Sequence, residues 1–518
     1  MKETFMNLKK TLSFGFFPDE LPPVFSTKEF GSVVVDNKDA FRDSICKKSN
    51  CATQCFSYSS PKYGMGRRIM RVPDPMHFLN LCLVLDENWS RLEDEYRKSL
   101  ISESSPVLFE KGQWPESTNP LSNFGEFNEK CILESYGSRF ELVADVSKYY
   151  GSIYSHAIPW ALEGKEEAQK NHNADTPGNN IDQAIRLCQN NETIGIPIGP
   201  YTSLVVSEII GCHIDHEITK THAKIKGKRF IDDYRFYFDD ANEAQTFYYN
   251  LQDTLSQFRL DLNTLKTEIR HFPYSLEDPW VSDLKETSNS LIDGTKNEKE
   301  ILVAFFSRAF EYSKQFPTSA VLLFALKRIS NWTVKKDNYD VFESILLRTL
   351  AVEPRSFPAV LSLLLSNFDR LDKEKVKEVL ERIIDKNVRP RNGYELAWCL
   401  FSATALDISL SEECISKILE VRESLSTALI VNLVATGKQV LNPKHDLNEI
   451  GEKTTNWLTN YQISLDRKKA FKINGFARLL MKKKVSFFEA IPKDKNELSE
   501  ILINCSVRGN NQYNASLT

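Results

Sequence analysis

Polar residues give way to apolar ones along Lys228-Arg229-Phe230-Ile231, and the two kinds alternate along Tyr234-Arg235-Phe236-Tyr237-Phe238, on the two sides of Asp232-Asp233. A period of two flanking a polar pair predicts a β-hairpin with two carboxylates at its tip. Upstream, the run Glu141-Leu142-Val143-Ala144-Asp145 is an apolar stretch closed by an acid, with the aromatics Tyr149 and Tyr150 following. Between the two acids lies Gly195-Ile196-Pro197-Ile198-Gly199-Pro200, a loop punctuated by Gly and Pro. The apolar segment from Leu204 to Ile210 that follows it suits a helix.

From Ile301 onward the pattern turns helical. Val376, Val379, Leu380, Ile383 and Ile384 fall on one helical face with Lys and Glu between them, and Asp372 stands where an N-cap belongs. Similar segments recur at 319–329, 340–350, 357–367, 394–405, 411–421 and 425–435. Helices following one another at short intervals predict pairs stacked as an α-solenoid of HEAT-like type, with a compact bundle as the alternative. The chain divides accordingly. Residues 1–86 mix turn residues with short strands and carry a basic cluster, and residues 87–280 carry the carboxylates. Residues 281–300 are polar and read as a connection, 301–505 form the helical domain, and 506–518 are a tail with few apolar anchors, expected to be flexible. Gly164 to Asn180 reads as an exposed connection within the second region.

Composition narrows the class. A chain of 518 residues, 41% hydrophobic and 26% charged, suits a globular protein of two or three domains. No apolar run reaches bilayer length, and Pro18-Asp19-Glu20 cuts off the apolar patch from Leu12 to Phe17, so a cytoplasmic location without membrane partners is expected. With a net charge of −4, nucleic acid must be met by local clusters of Lys and Arg. Ten cysteines show no disulfide-like pattern and are expected as reduced thiols. Cys46, Cys51 and Cys55 form the one cluster, for which free thiols are expected over a zinc site because the spacing is unusual and no fourth ligand lies nearby.

Adjacent carboxylates repel each other, so a hairpin that keeps them suits a site for a hard cation such as Mg²⁺. Phe230-Ile231-Asp232-Asp233 resembles the catalytic hairpin of reverse transcriptases. The run through Asp145 to Tyr150 resembles the first carboxylate motif of those enzymes. The loop Gly195–Ser203 resembles the one that approaches template and nucleotide, and Leu262-Asn263-Thr264-Leu265-Lys266-Thr267-Glu268 resembles their lysine motif. The segments Phe17–Phe25, Tyr154–Leu162 and Glu395–Leu400 are similar to the bacterial abortive-infection and other defence-associated reverse transcriptases.

That resemblance implies an α+β fingers and palm of right-hand polymerase type, followed by the all-α domain. It implies DNA polymerase activity in antiphage defence, with Asp145, Asp232 and Asp233 holding two Mg²⁺ ions (or Mn²⁺) and Lys266 assisting catalysis. Arg67, Arg68, Arg71, Tyr150 and Gly199 would meet the deoxynucleoside triphosphate, with Tyr150 excluding the ribose 2′-hydroxyl. It further implies synthesis primed from a protein hydroxyl, for which Tyr513 is the candidate, DNA product attached covalently, and a homo-oligomer, trimer or hexamer. Two alternatives stand beside it. One is a conventional RNA-templated reverse transcriptase using a noncoding RNA. The other is a catalytically silent binding scaffold, against which the joint presence of Asp145, Asp232, Asp233 and Lys266 argues.

Overall fold

The computed structural model describes residues 6–62, 64, 66–106, 123–292, 297–439, 441, 445–468 and 471–508; Tyr513 lies outside them. Among the described residues there are two sheets. Strands β1 (Phe56–Pro61) and β2 (Arg67–Val72) form an antiparallel hairpin. Strands β3 (Phe140–Asp145), β4 (Lys226–Phe230), β5 (Asp233–Phe238) and β6 (Glu268–His271) form an antiparallel sheet in the order β4-β5-β3-β6. The predicted carboxylate hairpin is therefore β4–β5, and the apolar run closed by Asp145 is the strand beside it.

The register explains what the sheet positions. Leu142 pairs with Phe236 and Ala144 with Tyr234, and all four are buried on one face. On that face Phe247 of the Ala241–Gln257 helix packs on Phe236, ring centroids 4.5 Å apart. The alternation then sends Val143, Arg235, Asp145 and Asp233 to the opposite face. The Leu204–Ile210 segment lies in a longer helix, Tyr201–Thr221, whose first half is wholly buried.

The helical half follows the expected segments closely, with helices at Val321–Arg328, Tyr339–Val352, Phe357–Leu365, Lys373–Val388, Gly393–Ala405, Glu412–Val421 and Ser424–Ala435. Asp372 caps the fourth, its Oδ1 accepting from Lys375 N at 3.1 Å. The last helix, Lys495–Arg508, returns to the Phe357–Leu365 helix, where Ser499 and Ser362 hydroxyls meet at 2.8 Å. That return sets the Lys495–Arg508 helix against the middle of the helical half.

Two sequence divisions differ from the structure. Most of the stretch read as a connection is helical, within Pro279–Ile292, because Trp280, Leu284 and Leu291 share one buried face despite the polar residues around them. The first 86 residues do not stand apart either. Phe16 stacks on Phe78 at 4.1 Å and on Trp457 at 5.9 Å, Ser26 N donates to Phe487 O, and Glu489 N donates to Val24 O. The N-terminal segment and the end of the helical half thus share one core.

Candidate active site

Strand pairing brings the separated acids together. Asp145, the last residue of β3, is the registered partner of Asp233, the first residue of β5, and Asp232 lies in the turn just before it. Val146 N donates to Asp232 O at 3.1 Å and locks the turn against the strand end. Lys266 joins the group, its Nζ 3.0 Å from Asp145 Oδ2. Asn263 donates from Nδ2 to Asp145 Oδ1 at 3.0 Å and from its backbone N to Asp145 O at 2.7 Å. Both oxygens of Asp145 are thereby engaged.

The other two acids are poorly compensated. Burial, and then Asp145, push Asp232 up to about 6. Burial, Asp232 and Asp145 push Asp233 in the same direction, well above the carboxylate range, and its Oδ2 is buried without a hydrogen-bond partner. Burial works against the Lys266 charge, but Asp145 outweighs it and holds the ammonium above its ordinary range. Among the described residues no three acidic, His or Cys side chains form a ready metal cage. The unpartnered oxygen and the crowded negative charge nevertheless suit hard divalent cations, and oxygen donors are the ligands such cations take.

These groups form part of the lining of a cleft of about 540 Å³. The β1–β2 hairpin contributes Arg67, Arg68 and Arg71 to the same lining, joined by Lys62 just beyond β1. Lys62 was missed in the sequence because a lone lysine ahead of Gly64 and Gly66 carries no local signal. Burial, then Arg68 and Lys266, lower its pKa, as expected of a cation crowded by others. The arginines differ from one another. Arg67 is held bidentately by Glu395 of the helical half, at 2.5 and 2.8 Å, and also donates to Ser59. Arg71 pairs with Glu192 at 3.2 Å. Arg68 is half-buried in the cleft wall.

The two tyrosines separate cleanly. Both line the cleft, but Tyr149 is buried, its hydroxyl donating to Ser207 O at 2.8 Å, whereas Tyr150 is half-buried. Gly199 is not among the lining residues, although Gly195, Ile196 and Ile198 are. Its φ is +130°, and a Cβ there would sit 2.5 Å from Pro18 Cγ, so its role is close packing against the N-terminal segment.

The cysteine cluster is a correction. Cys46 and Cys51 form a disulfide, brought together by the Ser49–Cys51 turn with Cα atoms 6.0 Å apart. Cys55 points elsewhere, its Sγ donating to Cys188 O, and burial pushes its thiol up to about 12.

No family model matches the chain, and no curated protein matches it. Among solved structures it is similar to telomerase from Candida albicans in complex with a TWJ fragment of telomeric RNA, at 12% identity over 67% of this chain and 68% of that one, with a TM-score of 0.30. It is also similar to apo telomerase from Candida tropicalis, at 11% identity over 82% and 74%, with a TM-score of 0.34. Likenesses of that degree carry no argument about chemistry. No helix of the described residues is long and apolar enough to cross a membrane.

Proposed function

We propose that this chain is a reverse-transcriptase-type DNA polymerase that joins deoxynucleotides to a primer hydroxyl in the cleft between β1–β2 and the carboxylate sheet. The observation that carries the reading is the meeting of Asp145, Asp232, Asp233 and Lys266, drawn from three separate stretches of sequence, in a cleft that Lys62, Arg67, Arg68 and Arg71 also line. Asp145, Asp232 and Asp233 would hold the cations, Asp145 being already paired with Lys266. Two divalent cations supply, when bound, activation of the attacking oxygen and neutralisation of the triphosphate. Lys62 and Arg68 face the same space and offset phosphate charge, Arg68 with a planar fork suited to it. Lys266 keeps its proton beside the carboxylates, where it offsets charge on the leaving pyrophosphate. Tyr150 walls the sugar side and selects by sterics against a 2′-hydroxyl.

The finer reading, antiphage defence with protein-primed synthesis from Tyr513 in a cytoplasmic trimer or hexamer, rests on the resemblance of three segments to the defence-associated enzymes. Two of those segments touch: Trp398 Nε1 donates to Glu20 O at 3.0 Å. The test is incubation of purified protein with Mg²⁺ and each labelled deoxynucleotide, followed by separate protease and nuclease digestion. Label that migrates with protein on a denaturing gel and is released by nuclease supports protein priming. Label in free DNA supports polymerisation from another primer, and no incorporation under any of these conditions counts against the polymerase.

A further inference from the structure

Ile231, immediately before the paired carboxylates, has φ +58°. That left-handed conformation is strongly disfavoured for a β-branched residue, so the surroundings must enforce it. They do so through a closed ring of hydrogen bonds. Ile231 N donates to Ser104 Oγ at 2.7 Å, and Ser104 Oγ donates to Glu208 Oε1 at 2.8 Å. Arg229 Nη1 donates to that same Glu208 oxygen at 2.8 Å and to Ile231 O at 2.9 Å. One network therefore grips both the N–H and the C=O of the strained residue.

The ring is anchored at depth. Arg229, Glu208 and Asp215 are each fully buried, and Arg229 Nε also donates to Asp215 at 2.9 Å. The second carboxylate is balanced by hydroxyls, with Ser99 donating to Asp215 and Ser102 to Glu208. Gly211 makes room for the guanidinium, since a Cβ there would lie 2.9 Å from Arg229 Cζ. The segment carrying the serines runs beside β4, with Arg229 N donating to Ile101 O and Glu103 N to Arg229 O, both at 2.8 Å. A fully buried ionic group is costly, and none of Arg229, Glu208 and Asp215 lines the cleft. What it does touch is the backbone that aims Asp232.

We infer that Arg229, Glu208 and Ser104 are positioning residues, which hold Ile231 left-handed and so direct the Asp232 and Asp233 carboxylates into the cleft. The inference rests on the proposed polymerase reading for its catalytic consequence, but not for the conformational lock itself. Arg229 is a poor handle, because removing it leaves two buried carboxylates without counter-charge. Ser104→Ala is sharper: it breaks the ring at two bonds and leaves the ion pair whole.

In the crystal structure of Ser104→Ala, Ile231 is expected to leave the positive-φ region. In primer extension, kcat is expected to fall about tenfold or more, with the nucleotide KM within about twofold, as for a group that acts only on the reacting geometry. Adding Ile231→Gly to Ser104→Ala is expected to recover most of kcat, because glycine takes the left-handed turn unaided. Loss of packing at Ser104 would not be repaired in that way. Retention of positive φ in Ser104→Ala, full kcat despite its loss, or no recovery from the glycine overturns the inference. If the wild-type chain adds no nucleotide, the polymerase reading falls instead, and the backbone angle of Ile231 in Ser104→Ala still decides the lock.

Discussion

Asp232 and Tyr150 show how single residues carry the account. Burial and Asp145 raise the Asp232 pKa from 3.8 to about 6, so the folded chain binds that proton more tightly than the unfolded chain does. Its contribution to stability is best preserved at low pH and declines as pH rises from about 4 through 6. A cation bound to the ionised carboxylates of the folded state alone would reverse the decline. The rise in Tm on adding Mg²⁺ should therefore be larger at pH 7.5 than at pH 5, and much reduced in Asp232→Asn. A Mg²⁺ shift independent of pH, and equal in the variant, would count against this. Tyr150→Ala should raise ribonucleotide relative to deoxynucleotide incorporation by about tenfold, equivalent to about 1.4 kcal/mol of discrimination. Competing both nucleotides in one assay reads the ratio directly, and an unchanged ratio would mean that the ring does not meet the sugar.

Elements explain what was legible in the sequence and what was not. The β4–β5 hairpin, the Asp145 strand and the helices from 321 onward were all readable, because each follows from a local period of two or of about 3.6. Their meeting at Asp145 and Asp233 was accessible only through the resemblance, since strand order is not written in a local period. Arg67 shows the limit. Its basic cluster reads as a phosphate grip, yet its partner Glu395 lies 328 positions away, and no spacing announces it. Helix Pro279–Ile292 was hidden by polar composition around three buried residues, and the Cys46–Cys51 bond by a cysteine count that looked random. Lys62 and the Arg229 ring were missed for the same reason as Glu395, since their partners are tertiary. Gly199 reads from its loop as a nucleotide contact, whereas the structure sets it, at a φ of +130°, close against Pro18 of the N-terminal segment. Gly199→Ala adds a Cβ against Pro18 at a positive φ, and should cost roughly 1–3 kcal/mol. A lower urea midpoint at constant m would show it; an unchanged midpoint would mean that the N-terminal segment yields freely.

Across the whole molecule, the two halves are joined by a continuous core instead of a linker. Trp457 Nε1 donates to Val72 O at 3.2 Å, Phe30 packs on Phe487 at 5.7 Å, and Arg67 is clasped by Glu395. A shared interior makes independent unfolding of either half expensive, so thermal unfolding should proceed as one calorimetric transition. Two well-separated transitions would show that the halves are autonomous. The same joint gives the helical half a direct hold on the wall of the cleft, through Glu395 and the hairpin arginine. The proposed polymerase function nevertheless returns to the carboxylates at the sheet's end. The most direct measurement is labelled-deoxynucleotide incorporation by the Asp232→Asn, Asp233→Asn double variant, beside wild type and with unfolding midpoints recorded for both. Neutral amides keep the hairpin's shape but remove the charge that would hold divalent cations. Incorporation by wild type is expected, with its loss, by at least about a thousandfold, in a variant that remains folded. Incorporation by the folded variant at the wild-type rate would contradict that expectation.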